Sequence, residues 1–436
     1  MAHELFHTMK YKRGRGGLMA LKLDMEKAFD FLELSFLLKI LDLLGFHPTW
    51  INWIGQCITT SSFSILLDGS SYGNFKPSRG IRQGDPLSHF LFILGSKILS
   101  RLILRDVALG SLQGIKVAPL SPPISHLLFA DDVMIFTRAK VQDANAILNC
   151  LSTYSKRSGQ CINLSKSAVF FRKNCSVNAI SKVNVILNLP LIPVRAKYLG
   201  NFGGVFPKIR NILKLLSWDT ICQPKALGGL GIHPLEFLNH SSLARLGWKL
   251  TINDTAPWVD VLKSKYLTDN VPFLEASSSP TSSWLWKGLL KNREVVKKGA
   301  CISISNCAHV DVWSSPWIPL IPYFKPRPNV NLTDLPGFWV ADLIIPGARV
   351  WNILLLQDLF DPFTVECILS IHLPFSMNFD KWFWAPSSSS FFSVKSAFTI
   401  ACSILGRVSS FSFEVWHKLW DLKLQARLKH LLWKIA

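Results

Sequence analysis

The chain has no CxxC pair: its nine cysteines lie scattered at positions 57, 150, 161, 175, 222, 301, 307, 367 and 402. A disulfide framework is not indicated, and a reducing compartment fits. Cys301, Cys307 and His309 form the only local cluster of soft ligands, and their spacing follows no common zinc pattern, so packing is the better reading of those thiols. Long apolar runs are also missing, since HFLFILGSKIL is interrupted by Gly95 and Lys97 before it reaches the length of a membrane span. The opening MAHELFHTMKYKRGRGG has no extended apolar core and does not read as a secretory signal. The chain is therefore expected to be intracellular, in nucleus or cytoplasm, without a membrane partner. Acids are scarce: 28 of them face 48 lysines and arginines, a formal charge of +20. That imbalance suits a polyanion, nucleic acid first, with a merely solvated basic surface as the plain alternative.

What is present is a foldable chain. At 436 residues with 49% hydrophobic it has room for two or three domains with real cores. LMALKLD (18–24) reads as a buried strand ending at Asp24. ELSFLLKILDLLGF has apolar residues at helical spacing and a stop at Gly45, and Pro48 opens a second helix. FSILLDGSSYGNF reads as strand and turn, and DPLSHFLFILGSKILSRLI as a helix capped by Asp85 with Pro86 in its first turn. SHLLFADDVMIFTR predicts two short strands about a tight turn, DANAILNCLSTYSKRSG a helix ended by Gly159, and AVFF and KYLG short strands. Up to about residue 205 strands and helices interleave, which predicts helices packed on a sheet. From Trp218 onward tryptophan, leucine, serine and proline dominate. The stretches 277–284 and 386–392 read as loops or linkers, and the tryptophans as core and interface packing rather than base-stacking platforms.

The chemistry sits in HLLFADDVMIF (126–136), where Asp131 and Asp132 interrupt an apolar run. Burying unpaired carboxylates costs several kcal/mol, so the pair belongs either to a solvated turn or to a cation site. A lone DD at a hairpin is usually only a polar turn. Asp24, closing its own strand, could bring a third carboxylate to the same sheet edge. Oxygen-only ligation of that kind suits Mg2+ or Mn2+, and two such ions about 4 Å apart serve phosphoryl transfer.

KLDMEKAFD (22–30), RQGDPLSHFLF (82–92), FADD (129–132), GQCINLSKS (159–167) and KYLG (197–200) occur in the order and rough spacing of the palm motifs of reverse transcriptases. FADD together with RQGDPLS resembles the non-LTR, LINE-type retrotransposon branch, and the lead-in to KLDMEKAFD resembles its plant members. The resemblance implies an α+β polymerase palm, an antiparallel sheet with packed helices, followed by a mostly helical Trp-rich region. It implies RNA template, DNA primer and deoxynucleoside triphosphates as partners, and two Mg2+ or Mn2+ ions. By the same resemblance Asp24 and Asp131 are the principal metal ligands and Asp132 the supporting one. Phe29 matches an aromatic gate against a 2′-hydroxyl, with a core aromatic as the equal alternative. Arg82, Gln83 and Gly84 match the loop against incoming nucleotide and template. Ala130 lies where nucleotide and primer end approach, Lys166 matches a proton donor to the leaving pyrophosphate, and Tyr198, Leu199 and Gly200 match a primer grip. A solvated surface lysine and an ordinary strand are the plain alternatives for the last two features.

The resemblance also sets expectations for the rest of the chain. Residues 1–205 are expected to form the palm with fingers incomplete, and 206–217 a shortened junction where the family has a thumb. Residues 218–375 resemble the downstream region of LINE-type reading frames. Residues 376–436 resemble the start of a reverse-transcriptase zinc-binding region that stops before its Cys/His cluster, so no zinc is expected. Two functional readings stay open: an RNA-directed DNA polymerase domain impaired by its missing flanks, and an inactive remnant or nucleic-acid-binding fragment.

Overall fold

The alternation in Leu18–Glu26 builds strand β1, whose Met19, Ala20, Leu21, Leu23 and Met25 are all buried. In this computed structural model β1 is the central strand of a five-stranded antiparallel sheet. The structure describes residues 1–12, 17–191, 221–222, 230–232, 234–268, 271–305, 307, 310–329, 337–345, 347–374, 379–404, 421–425 and 428–429. On one edge β1 pairs with β5 (Asp132–Arg138) from Leu18 opposite Arg138 to Asp24 opposite Asp132. On the other it pairs with β7 (Ala168–Phe171) and, at its end, with β6 (Cys161–Ile162). Strand β4 (His126–Phe129) lies outside β5. The predicted end of β1 at Asp24 is two residues early, because Met25 and Glu26 find ladder partners in Ile162 and Cys161.

Helices α2 (Leu34–Leu43), α3 (Pro48–Thr59), α4 (Pro86–Ala108) and α5 (Val141–Ser158) lie where the periodicity puts them. Helices α1 (Ala2–Tyr11) and α6 (Val177–Leu187) add to those the pattern predicts. The Asp85 carboxylate accepts the Leu87 amide at 2.8 Å with Pro86 in the first turn, so both predicted start signals act at α4. Gly159, at φ +75°, ends α5 in the left-handed conformation that favours glycine. The core joins Leu21 and Leu23 to Leu37 and Leu41 of α2, to Leu91, Phe92 and Leu99 of α4, and to Ile147 and Leu151 of α5. The hairpin of β2 (Phe63–Leu67) and β3 (Ser70–Phe75) is exposed throughout. By length and composition α4 is apolar enough to cross a membrane, contrary to the reading that no run suffices; its Leu91, Phe92, Leu99 and Ile103 are nevertheless core residues.

The chain divides into two compact units, Met1–Tyr198 and Leu199–Ala436. In the second, helices at Leu235–Thr251, Pro257–Tyr266, Trp284–Lys291 and Val394–Ile404 accompany a two-stranded ladder of Ala300–Ser303 with Lys381–Trp384. Tryptophans fill its core. Trp286, Trp317 and Trp384 are fully buried. Tyr266 stacks on Trp286 at 4.5 Å, and the Trp384 indole donates to Ser396 Oγ at 2.8 Å. The Ser-rich stretches are internal loops, and Ser283 in the first of them caps the helix at Trp284–Lys291. Burial pushes the thiols of Cys301 and Cys307 up to about 12 and about 11, the state of packing cysteines. His309, the junction 206–217 and KYLG fall outside the described residues.

Candidate active site

Asp24 stands directly opposite Asp132 in the β1/β5 ladder. Residues opposed across antiparallel strands project to one face, so the two carboxylates share it, and Lys22, two residues back on β1, projects to that face as well. Like charges directly opposite destabilise a sheet. The structure answers with an ion pair, Lys22 Nζ lying 3.5 Å from Asp132 Oδ1.

The turn joining β4 to β5 has only Ala130 and Asp131 between the paired Phe129 and Asp132. Ala130 takes φ +52°, the positive value at the first central position of a two-residue hairpin whose twist matches its strands. A β-branched or bulky residue would be more strained there, so smallness at 130 has a backbone reason beside the one the resemblance supplies. Phe129 and Asp131 are exposed at the tip. The three carboxylates do not close on one point: among the described residues no group of three His, Cys, Asp or Glu side chains is placed to hold a metal ion. Sequence neighbours alternate in direction, so the register that sets Asp132 beside Asp24 does not also set Asp131 there. In kind the donors still fit a hard divalent cation, two oxygen ligands sharing a half-exposed face with a third carboxylate one residue away.

Both backbone groups of Asp24 are held by the segment after α5. The amide donates to Ser167 Oγ at 3.0 Å, and the carbonyl accepts the Asn163 amide at 2.9 Å. Lys166, between these two contacts in sequence, is exposed. Beyond β1 the chain turns at residues 27–30 and is clamped twice. Buried Gln160 donates its side-chain amide to Ala28 O at 2.6 Å. From the other side Ile81 donates to Phe29 O, Gly80 to Leu32 O, and Gln83 Nε2 to Asp30 Oδ1 at 3.1 Å. Gly80 is required there: at φ +90°, a Cβ would meet Asp30 O at 2.9 Å. Phe29 and the Arg82–Gln83–Gly84 loop are thus one assembly, with Arg82 exposed and Gly84 at φ +85°. The Phe29 ring stacks on Phe92 at 5.0 Å and meets His89 edge-on at 5.5 Å, which gives it a core role whatever else it does.

Tyr198, Leu199 and Gly200 lie outside the described residues. Sequence reasoning passed over Lys22, Gln160, Asn163 and Ser167, although all four lie within the quoted motifs. The asparagine and serine flanking Lys166 are turn formers, and that was the available signal.

A family model described as reverse transcriptase (RNA-dependent DNA polymerase) matches residues 2–201, the whole span of the sheet and its helices. The first unit is a reverse-transcriptase domain of the non-LTR retrotransposon type. An uncharacterized mitochondrial protein of Arabidopsis thaliana is 54% identical over 68 residues, 16% of this chain and 56% of that protein. A putative ribonuclease H protein of the same plant is 26% identical over 233 residues, 51% of this chain and 36% of its own length. A retrovirus-related Pol polyprotein from a type-1 R2 retrotransposable element of Popillia japonica is 26% identical over 203 residues, 46% of this chain and 31% of the polyprotein. The chain thus spans between 31% and 56% of the length of these relatives. Reverse transcriptases use divalent metal ions and act on a nucleic-acid template and primer with nucleotide substrates, and the antiparallel sheet with packed helices is the α+β arrangement expected of such a domain.

Proposed function

We propose that this reverse-transcriptase domain carries out RNA-directed DNA synthesis, extending a DNA primer on an RNA template with deoxynucleoside triphosphates. The observation that carries the reading is the register of Asp24 against Asp132 at a hairpin tip bearing Asp131. Asp24, Asp131 and Asp132 would hold two Mg2+ or Mn2+ ions. When bound, such ions activate the primer hydroxyl and stabilise charge on the leaving pyrophosphate.

The remaining work falls to the chain's own groups. The Lys166 ammonium donates a proton to the departing pyrophosphate. The Phe29 ring, stiffened by Phe92 and His89, leaves no room for a 2′-hydroxyl. Arg82 and Gln83 line the nucleotide and template, Gln83 fixed by Asp30, and Gly84 permits close backbone approach. Ala130 presents little bulk to nucleotide and primer end, and Tyr198, Leu199 and Gly200 grip the primer. In this reading residues 1–205 are the palm, 206–217 a short junction, 218–375 the downstream region and 376–436 the start of a zinc-binding region, all acting inside the cell.

A second reading, a domain that binds nucleic acid without chemistry, is supported by two observations: Lys22 already pairs with Asp132, and among the described residues no three carboxylates come together. Primer extension on a poly-rA template with Mg2+ or Mn2+, against Asp131→Asn, separates the two. Incorporation well above the variant supports the polymerase; equal incorporation leaves only binding.

A further inference from the structure

The five residues Asn163–Ser167 make more contacts with Asp24 and with one another than a surface turn needs. Asp24 donates its amide to Ser167 Oγ at 3.0 Å and accepts the Asn163 amide on its carbonyl at 2.9 Å, so both backbone groups face the edge of β6 and β7 and away from β5. Ser167 is 1% exposed, which makes its hydroxyl a built-in acceptor rather than a solvent-facing one. Asn163 then organises the turn between them. Its carbonyl accepts from the Ser167 amide at 2.9 Å and the Lys166 amide at 3.3 Å. Its side-chain Oδ1 accepts from the amides of Ser165 and Lys166, both at 3.2 Å, and from Ser165 Oγ at 2.7 Å. The result is a closed loop of hydrogen bonds with Lys166 at its apex and Asp24 at its base. Ala168, the next residue, enters β7 opposite Lys22, so the latch is also seated in the sheet.

We propose that Asn163 and Ser167 are positioning residues that tie Lys166 to Asp24, so that the proton-donating ammonium and the metal-holding carboxylate keep a fixed separation. The inference rests on the polymerase reading for the roles of Lys166 and Asp24, but the tie itself does not. Without the Ser167 hydroxyl the Asp24 amide loses its partner and the strand end can shift. A shift of that kind moves the carboxylate relative to the lysine, and costs both functions at once.

The test uses the full chain with Ser167→Ala, Ser167→Thr, Lys166→Ala and the Ser167→Ala/Lys166→Ala double variant. Mn2+ binding is followed by electron paramagnetic resonance, and single-nucleotide incorporation gives kcat and KM. Ser167→Ala is expected to weaken Mn2+ binding and to lower kcat by about five- to tenfold each, the worth of one such hydrogen bond, with KM for the nucleotide nearly unchanged. Ser167→Thr, which keeps the hydroxyl, restores both. At saturating Mn2+, where the weaker metal binding no longer limits the rate, the double variant is expected to be no slower than Lys166→Ala, because the remaining loss is the positioning of the lysine. Wild-type Mn2+ affinity in Ser167→Ala, or losses that multiply in full in the double variant, overturns the latch. A chain that binds Mn2+ but extends no primer overturns the polymerase reading and leaves the Mn2+ comparison to decide the latch; a wild-type chain that binds no Mn2+ overturns both.

Discussion

Lys22 Nζ lies 3.5 Å from Asp132 Oδ1, on the face where Asp132 opposes Asp24. The ammonium offsets a carboxylate pair that the ladder would otherwise hold together against its own repulsion. Both partners are more than a third exposed, so solvent screens the pair and its direct worth is under about 1 kcal/mol. Lys22→Met should therefore cost little stability, yet it should increase the stabilisation that millimolar Mn2+ confers, because the cation no longer competes with the ammonium. Thermal melts of both proteins with and without Mn2+ measure this, and equal metal-induced shifts would rule out the competition.

His126 begins β4 with both ring nitrogens engaged, Nε2 with Ser100 Oγ at 2.7 Å and Nδ1 with Ser125 Oγ at 2.9 Å. Burial holds its pKa below the ordinary value of a histidine, so the folded chain keeps it neutral. Below about pH 6.5 the unfolded chain takes up a proton that the folded chain refuses, and stability must fall as pH falls through that window. Urea midpoints taken from pH 7.5 down to 5 should drop more steeply for the wild type than for His126→Gln. Parallel slopes would show that another group carries the dependence.

Two glycines with similar backbone angles should respond differently to alanine. Gly45, at φ +80°, has open space where a Cβ would go, so Gly45→Ala costs only left-handed strain of about 1–2 kcal/mol. Gly159, at φ +75°, would drive its Cβ to 2.5 Å from Phe31 O and 2.8 Å from Glu33 Cγ, at the point where the Glu33 amide also reaches Ser158 O. Gly159→Ala should cost clearly more, about 3 kcal/mol or above, and loosen the turn that carries Phe29. Chemical denaturation of the two variants side by side gives the comparison, and equal losses would show that the clash is relieved elsewhere.

The elements of the first unit were legible because their signals are local. Asp85–Pro86 announces α4, Gly45 and Gly159 stop their helices, and FADD between apolar runs announces a hairpin; each signal acts within a turn of where it is written. The continuation of β1 past Asp24 was not legible, since it depends on Cys161 and Ile162 arriving from far along the chain. Ser167 and Gln160 were missed for the same reason: their contacts to Asp24 and Ala28 span 143 and 132 residues, and nothing in a serine or a glutamine advertises a distant backbone group. The carboxylates were found by type, but composition could not say that the register would set Asp132, rather than Asp131, beside Asp24. In the second unit Trp248, Trp286, Trp317, Trp351 and Trp384 are core, as so much ring area among apolar neighbours predicts, whereas Trp284 and Trp339 are exposed.

Asp143 is buried at the first turn of α5 and accepts from the Thr137 hydroxyl, from the Gln113 amide at 3.3 Å and from Arg138 Nη2 at 3.4 Å. It fastens β5, the strand that begins at Asp132, to the helix behind it. Asp143→Ala takes this acceptor from the Gln113 amide and the partly exposed Arg138 guanidinium, while the Thr137 hydroxyl keeps Gln113 O at 3.0 Å, and should cost about 2 kcal/mol, with Asp143→Asn intermediate because it keeps one acceptor oxygen. A loss below about 1 kcal/mol for the alanine variant, read from urea unfolding, would mean that water replaces the carboxylate without penalty.

Binding to RNA tests the basic balance residue by residue. Arg82 is exposed beside Gln83, whose side chain is anchored on Asp30, so its guanidinium is presented from a fixed loop. Arg105 is also partly exposed, but its Nε and Nη2 are committed to Asp106 at 3.0 and 2.9 Å. If Arg82 meets a phosphate, Arg82→Gln should make the slope of log K against log salt shallower by about one, because one fewer counterion is released. Arg105→Gln should leave the slope as it is. Fluorescence anisotropy with a labelled RNA across a salt series distinguishes them, and an unchanged slope for Arg82→Gln would remove that residue from the nucleic-acid surface.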